Sequence, residues 1–200
     1  MYLVGLTGGI ASGKSYVASL LVGHGASAID ADDVARQVVL PGSIGLSQVL
    51  SKFGEEVLLP SGELDRKKLG DVVFANPERR KELESILHPL IRARTMELIS
   101  SQSSEVVVYA VPLLVEANVD YPFDTVITVE AGADNQVERL MSSRALSMNE
   151  ARQRVDAQTS SDERIKRADF VIDSSGTKEQ TRQQVDAVWK EIIFAARSKG

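Results

Sequence analysis

Glycines at 8, 9 and 13, a lysine at 14 and a serine at 15 form the pattern Gly8-x-x-x-x-Gly13-Lys14-Ser15. A loop of successive inward-turned backbone N–H groups makes an anion nest, and a following helix adds its positive N-terminal end. Glycines at 8, 9 and 13 permit the positive φ angles and close backbone approach of such a nest. Lys14 is then placed for the β- and γ-phosphates of a nucleoside triphosphate, and the Ser15 hydroxyl for Mg²⁺. The loop residues between them are Ile10, Ala11 and Ser12, with Thr7 before and Tyr16 behind. The pattern specifies phosphate binding and leaves the acceptor open.

Phosphoryl transfer also needs a carboxylate to orient an acceptor and cations for the developing charge. The carboxylates are in AIDADDVAR, residues 28–36, where Asp30 and Asp32 alternate. In an extended chain these two share one side and Asp33 takes the other. The alternative is that Asp32 or Asp33 N-caps a helix starting near Val34. The cations are arginines: Arg139 and Arg144 flank LMSS, and Arg152, Arg154, Arg164 and Arg167 follow. Guanidinium groups suit phosphate, although on a helix face they also pair with Glu138, Glu150 or Asp156.

The elements that must hold these groups alternate in type. Apolar runs at Tyr2–Thr7, Ala26–Asp30, Glu105–Val111, Asp124–Val129 and Ala168–Ile172 predict five strands. Helical spacing runs from Gly13 to about His24, with His24-Gly25 as terminator, and over Lys178–Arg197. Near-continuous apolar strands alternating with helices predict an α/β fold whose parallel sheet is covered on both faces. Residues 64–100 hold no strand and predict consecutive helices that stop at His88-Pro89; residues 132–165 are likewise helical and arginine-rich.

Composition narrows the classes. Two hundred residues make one ordinary domain, and a net charge of -5 argues against broad nucleic-acid binding. The absence of cysteine excludes a disulfide scaffold, a thiol nucleophile and a Cys-based zinc site. No signal-like leader and no apolar run of about 20 residues is present, so a soluble cytoplasmic protein without membrane or nucleic-acid partners is expected. No Asn-Lys-x-Asp occurs, which removes a GTPase, and Asp173-x-x-Gly176 lies too near the C-terminus for a γ-phosphate sensor. Glu130 is the one carboxylate directly after an apolar strand that resembles a second ATPase motif, and only weakly. A small-molecule kinase remains.

The whole chain resembles the dephospho-CoA kinase family. The likeness runs through VGLTGGIASGKS, IDADDVARQVV, GELDRKKL, VFANPE, LHPLIR, VPLLVE, QVERLMSSR, RVDAQ and ADFVIDSSG in order. It implies a three-layer P-loop NTPase fold with a parallel five-stranded sheet, spanning 1–200 as a single domain. The core would take about 1–60, 101–131 and 166–200, a helical CoA-binding lobe 61–100, and a helical lid 132–165. It implies transfer of the ATP γ-phosphate to the ribose 3′-hydroxyl of dephospho-CoA, with Mg²⁺. Gly8 through Tyr16 would be the ATP loop, Asp32 the catalytic aspartate, and Lys14, Arg139 and Arg144 the catalytic cations. Thr7, Arg66, His88 and the Pro112, Leu113, Leu114 turn would be substrate contacts. A monomer is the default expectation. Three positions depart from the family's pattern. Tyr16 stands where Thr is common, and Ser174 where Asn is often found near the adenine. Ala11 replaces a frequent Gly, which is tolerable only with a negative φ.

Overall fold

A computed structural model describes residues 1–112, 114 and 121–199. In order, the chain forms β1 (Tyr2–Gly8), α1 (Lys14–Gly23), β2 (Ser27–Asp30), α2 (Ala31–Gln37) and α3 (Ile44–Phe53). Then come α4 (Arg66–Ala75), α5 (Pro77–Ser100), β3 (Val106–Ala110) and β4 (Thr125–Glu130). The remainder is α6 (Ala133–Arg144), α7 (Met148–Asp156), α8 (Ser161–Lys166), β5 (Phe170–Asp173) and α9 (Lys178–Lys199). The five strands make one parallel sheet in the order β2-β3-β1-β4-β5, so β1 is central. Leu6 stands opposite Ala110 on one side and Ile127 on the other. By contact density the chain divides into two compact units, Met1–Ile29 with Gln102–Gly200, and Asp30–Ser101.

The first unit holds most of the sheet. Alternate residues Tyr2, Val4 and Leu6 join Val17 and Leu21 of α1 and Val185 and Ile192 of α9 in one core. That follows from the two periodicities, since the i, i+2 face of a strand meets the i, i+4 and i, i+7 stripe of a helix. Leu6, Leu21, Ile127, Ile172 and Ile192 are essentially fully buried, each stabilising by about 1.5–3 kcal/mol. On the opposite face Gly5 leaves room for Phe123 and Leu114, whose side chains lie 3.1–3.2 Å from where a Cβ would stand. At the end of α1, His24 is the C-cap; its Nε2 lies 2.8 Å from Asp186 and its ring stacks on Trp189. Among the described residues no helix is long and apolar enough to cross a membrane.

The second unit is helical. Its core gathers Val39, Leu46, Val49, Phe53, Val57, Leu64, Leu69 and Val73, with α5 packed against α2, α3 and α4. The expected lobe over 61–100 lies within this unit, which also includes α2 and α3. One expectation fails here: α5 does not stop at His88-Pro89 but continues through Pro89 to Ser100. Pro89 cannot donate to the Ser85 carbonyl, yet burial of Leu83, Ile86 and Leu87 before it and Thr95 and Ile99 after it holds both halves helical. Tertiary packing overrides the local break.

Candidate active site

The loop after β1 is built as a nest, but not by the glycines in the way their spacing suggests. Gly13 is left-handed at φ 92°, ψ 12°, and it serves as N-cap of α1. Gly9 is not at positive φ; it is glycine for space. A Cβ there would stand 2.5 Å from Gln136 Nε2 and 3.2 Å from Arg164 Nη2. Gly8 is nearly extended, and a Cβ on it would stand 2.6 Å from both Ser12 Oγ and the Val129 carbonyl. The second left-handed residue is Ala11, at φ 55°. This corrects the expectation that alanine is acceptable only at negative φ. The nest demands the turn, and the cost of about 1–2 kcal/mol for an L residue is borne by the contacts around it. Those contacts are apolar and polar: Ile10 and Ala11 pack on the small core of Val137, Leu140 and Ala151.

Side chains from outside the loop bind its backbone at three successive residues. Gln136 Nε2 donates to the Ile10 carbonyl at 2.7 Å, and the Ile10 N–H donates to Gln158 Oε1 at 2.6 Å. Arg139 Nη1 donates to the Ala11 carbonyl at 3.2 Å, and its Nη2 donates to the Ser174 carbonyl. Ser174 Oγ donates to the Ser12 carbonyl. Ser174, which the resemblance associates with the adenine, is therefore buried and engaged with the loop backbone. Helix α1 starts with no side-chain cap and no acidic residue in its first turn, so its N-terminal N–H groups suit an anion. Lys14 is its first residue and half-buried; Ser15 follows, exposed, and Tyr16 donates its hydroxyl to the Lys178 carbonyl at 3.4 Å. Among the described residues, the buried side-chain polar atoms without a hydrogen bond are Thr7 Oγ1, just before this loop, and Ser12 Oγ, within it.

Glu130 ends β4 and is buried against Arg164, with Nε to Oε1 and Nη2 to Oε2 both 2.8 Å. Ser161 and Thr128 hydroxyls donate to the same carboxylate, each at 2.8 Å. Burial pushes the Glu130 carboxyl up. The hydrogen bonds from Arg164, Ser161 and Thr128 together outweigh it and hold the group below the usual carboxylate range. Its weak resemblance to a second ATPase motif thus comes to a buried ion pair that ties β4 to α8.

The other expected residues fall as follows. In the second unit Asp32 is exposed in the first turn of α2. It is helical rather than extended, so the expected alternation with Asp30 does not hold. Neither Asp32 nor Asp33 is the N-cap: Asp30 is, accepting from the Asp32 N–H at 2.8 Å, while Asp33 pairs with Arg36 at 2.9 Å. The carboxylate preference at the cap is satisfied one residue before the first turn, which leaves the Asp32 side chain outside it. Arg66, first in α4, and His88, inside α5, are exposed, and no hydrogen bond or ion pair joins Asp32, Arg66 and His88 among the described residues. In the first unit Arg144 is exposed at the end of α6, Pro112 is half-buried and Leu114 is buried. Leu113 lies outside the described residues. Sequence reasoning missed Gln136 and Gln158, which begin QVERLMSSR and end RVDAQ, and only those motif edges pointed to them. Arg164, expected as one of several phosphate cations or helix-face partners, is instead the buried partner of Glu130.

A family model for dephospho-CoA kinase matches residues 2–180. The dephospho-CoA kinase of Thermobifida fusca is 46% identical over 193 residues, covering 96% of each protein. That of Streptomyces avermitilis is 43% identical, covering all of this chain and 98% of the relative. Among solved structures, one from Thermus thermophilus is similar with a TM-score of 0.82 at 33% identity, covering 95% of this chain and 97% of that one. Dephospho-CoA kinase from Campylobacter jejuni gives 0.64 at 29%, covering 95% and 96%. A shikimate kinase from Acinetobacter baumannii, at 14% identity and a TM-score of 0.54, shares the fold. The nucleotide loop of the first unit, the parallel sheet beneath it and this full-length similarity agree: the chain belongs to the dephospho-CoA kinase family.

Proposed function

We propose that this kinase moves the γ-phosphoryl group of ATP to the ribose 3′-hydroxyl of dephospho-CoA, giving CoA and ADP. The loop Gly8–Ser15, left-handed at Ala11 and Gly13 and opening onto the N-terminus of α1 without a side-chain cap, supports the donor half of the reading, and membership of the family over residues 2–180 supports the acceptor. Backbone N–H groups and Lys14 hold the triphosphate there. The acceptor oxygen attacks the γ-phosphorus; the bond to the β–γ bridging oxygen breaks, and ADP leaves. The acceptor proton passes to the Asp32 carboxylate and then to water. The transition state is loose and needs little base strength, so Asp32 acts mainly by aligning the hydroxyl. Lys14, Arg139 and Arg144 supply positive charge for the transferring group, and Arg139 also fixes the loop that binds it. Thr7, Arg66, His88, Pro112 and Leu114 contribute to the acceptor and its surroundings.

The donor set also fits Mg²⁺. That ion takes one or two protein oxygens and completes its shell with phosphate oxygens and water. Ser15 offers one exposed hydroxyl beside the loop. When bound with ATP, Mg²⁺ would neutralise the β- and γ-oxygens.

A panel of acceptors tests the assignment: dephospho-CoA, shikimate, adenosine and AMP, each with ATP and Mg²⁺, followed by ADP release. Turnover confined to dephospho-CoA is expected. Equal or faster turnover with another acceptor would reassign the substrate.

A further inference from the structure

Ile10 is held from both sides by glutamine amides used in opposite senses. Gln136 donates to its carbonyl and Gln158 accepts its N–H, at 2.7 and 2.6 Å. These two bonds fix both peptide planes that flank Ile10. In a trans peptide the carbonyl and the next N–H point in opposite directions. Holding the Ile10 carbonyl toward Gln136 therefore turns the Ala11 N–H the other way. The same logic applies where Ser174 holds the Ser12 carbonyl and so turns the Gly13 N–H; Arg139 holds the Ala11 carbonyl, and the Ser12 N–H opposite it closes the turn on the Gly9 carbonyl at 3.1 Å. A nest works only when its N–H groups converge before the anion arrives, because reorganising them during transfer would cost rate. Gln136 is 5% exposed, and its Nε2 occupies the space that a side chain on Gly9 would need.

We propose that Gln136 and Gln158 are positioning residues for phosphoryl transfer, locking the peptides around Ile10 so that the phosphate loop is preformed. The inference rests on the reading that Gly8–Tyr16 holds the phosphates of ATP. It also makes α6 and the turn that follows α7 a fixed brace of the loop. Neither glutamine touches the reacting atoms.

The opposite polarity of the two amides supplies a test that simple packing cannot mimic. Glu in place of Gln158 keeps an acceptor for the Ile10 N–H, whereas Glu in place of Gln136 removes the donor to the Ile10 carbonyl. The experiment compares Gln158→Leu, Gln158→Glu, Gln136→Leu and Gln136→Glu in kcat, KM for MgATP and thermal unfolding. Gln158→Leu and Gln136→Leu are expected to lower kcat at least tenfold, with folding retained. Gln158→Glu is expected to stay within threefold of the unmodified chain, and Gln136→Glu to remain at least tenfold down. Should either leucine variant fail to fold, the asymmetry between the two glutamate variants decides. Equal behaviour of the two glutamate variants, or leucine variants with kcat and KM within twofold of the parent, overturns the proposal. Calorimetric titration of the unmodified chain with MgATP separates the two layers. No binding there overturns the loop reading itself, whereas binding together with insensitive variants overturns only the role of the glutamines.

Discussion

Arg164 meets Glu130 through two parallel N–H···O bonds, each 2.8 Å, with both side chains almost wholly removed from solvent. The pair joins the carboxyl end of β4 to α8, and Arg164 also lies against Gly9 of the phosphate loop. Replacing Arg164 with Met would leave a buried carboxylate without its cation. Removal of one partner from such a pair costs about 3–5 kcal/mol. Urea unfolding at pH 7 is expected to show that loss for Arg164→Met, and a cost below about 1 kcal/mol would contradict the account.

The same pair fixes the sign of a pH effect. Glu130 is held below its usual range, so in the parent its contribution is present above the unfolded carboxylate pKa of about 4.3. It is lost as pH falls through the lower folded value. In Arg164→Met burial is opposed only by the Ser161 and Thr128 hydroxyls, so the Glu130 pKa rises relative to the parent's and protonation on acidification relieves the variant. The stability gap between parent and Arg164→Met should therefore narrow as pH falls from 7 toward 4. A gap that widens would show that Glu130 is not the charge left uncompensated.

Ala11 sits at φ 55°, where glycine is at no disadvantage. Relief of its left-handed cost of about 1–2 kcal/mol exceeds the extra unfolded-state entropy of glycine, about 0.4–1 kcal/mol. Ala11→Gly should raise stability by about 0.5–1 kcal/mol, read as a shift in the denaturant midpoint at unchanged slope. A loss of stability would mean that the alanine methyl contributes more through its packing on α6 and α7 than the backbone loses.

Pro89 interrupts the hydrogen-bond ladder inside α5, where a proline costs about 3 kcal/mol against a good helix former. Pro89→Ala restores a donor for the Ser85 carbonyl. Part of the gain is offset by relaxation of the packed helix, so an increase of about 1–2 kcal/mol is expected in thermal or urea unfolding. A destabilised variant would show that the proline ring is needed for packing in the helical unit.

These cases also show what the residues disclosed and what they withheld. The strands were legible because each is an apolar run of strand length, and all five expected runs overlap β1 to β5. The phosphate loop was legible because Gly13, Lys14 and Ser15 carry a spacing with a mechanism. The left-handed Ala11 was not, because its conformation is imposed by side chains 125 or more positions away, Gln136 and Arg139. The passage of α5 through Pro89 was hidden for a similar reason: packing of α5 on three other helices prevailed over a local breaker. Gln136 and Gln158 look in sequence like ordinary polar helix or loop residues, and Arg164 like one more candidate phosphate cation. Only the fold turns them toward the loop and Glu130. Asp30 took the cap expected of Asp32 or Asp33, since helix boundaries shift by a residue or two against any pattern.

Asp32 lies outside the cap and exposed, with no stabilising bond from its side chain among the described residues. Asp32→Asn should therefore leave the unfolding midpoint nearly unchanged. If Asp32 aligns and deprotonates the acceptor, kcat should fall about 10²–10⁴-fold while MgATP affinity stays within a few-fold. Steady-state kinetics with a parallel nucleotide titration checks both halves, and turnover near the parent's would remove Asp32 from the reaction.

The central claim is the identity of the bond formed, and ³¹P NMR with mass spectrometry of the product tests it most directly. Incubation of the chain with ATP, Mg²⁺ and dephospho-CoA should yield one new phosphomonoester, on the ribose 3′-oxygen, together with an equal amount of ADP. A phosphate at any other position, or ADP formed without a phosphorylated acceptor, would contradict the account.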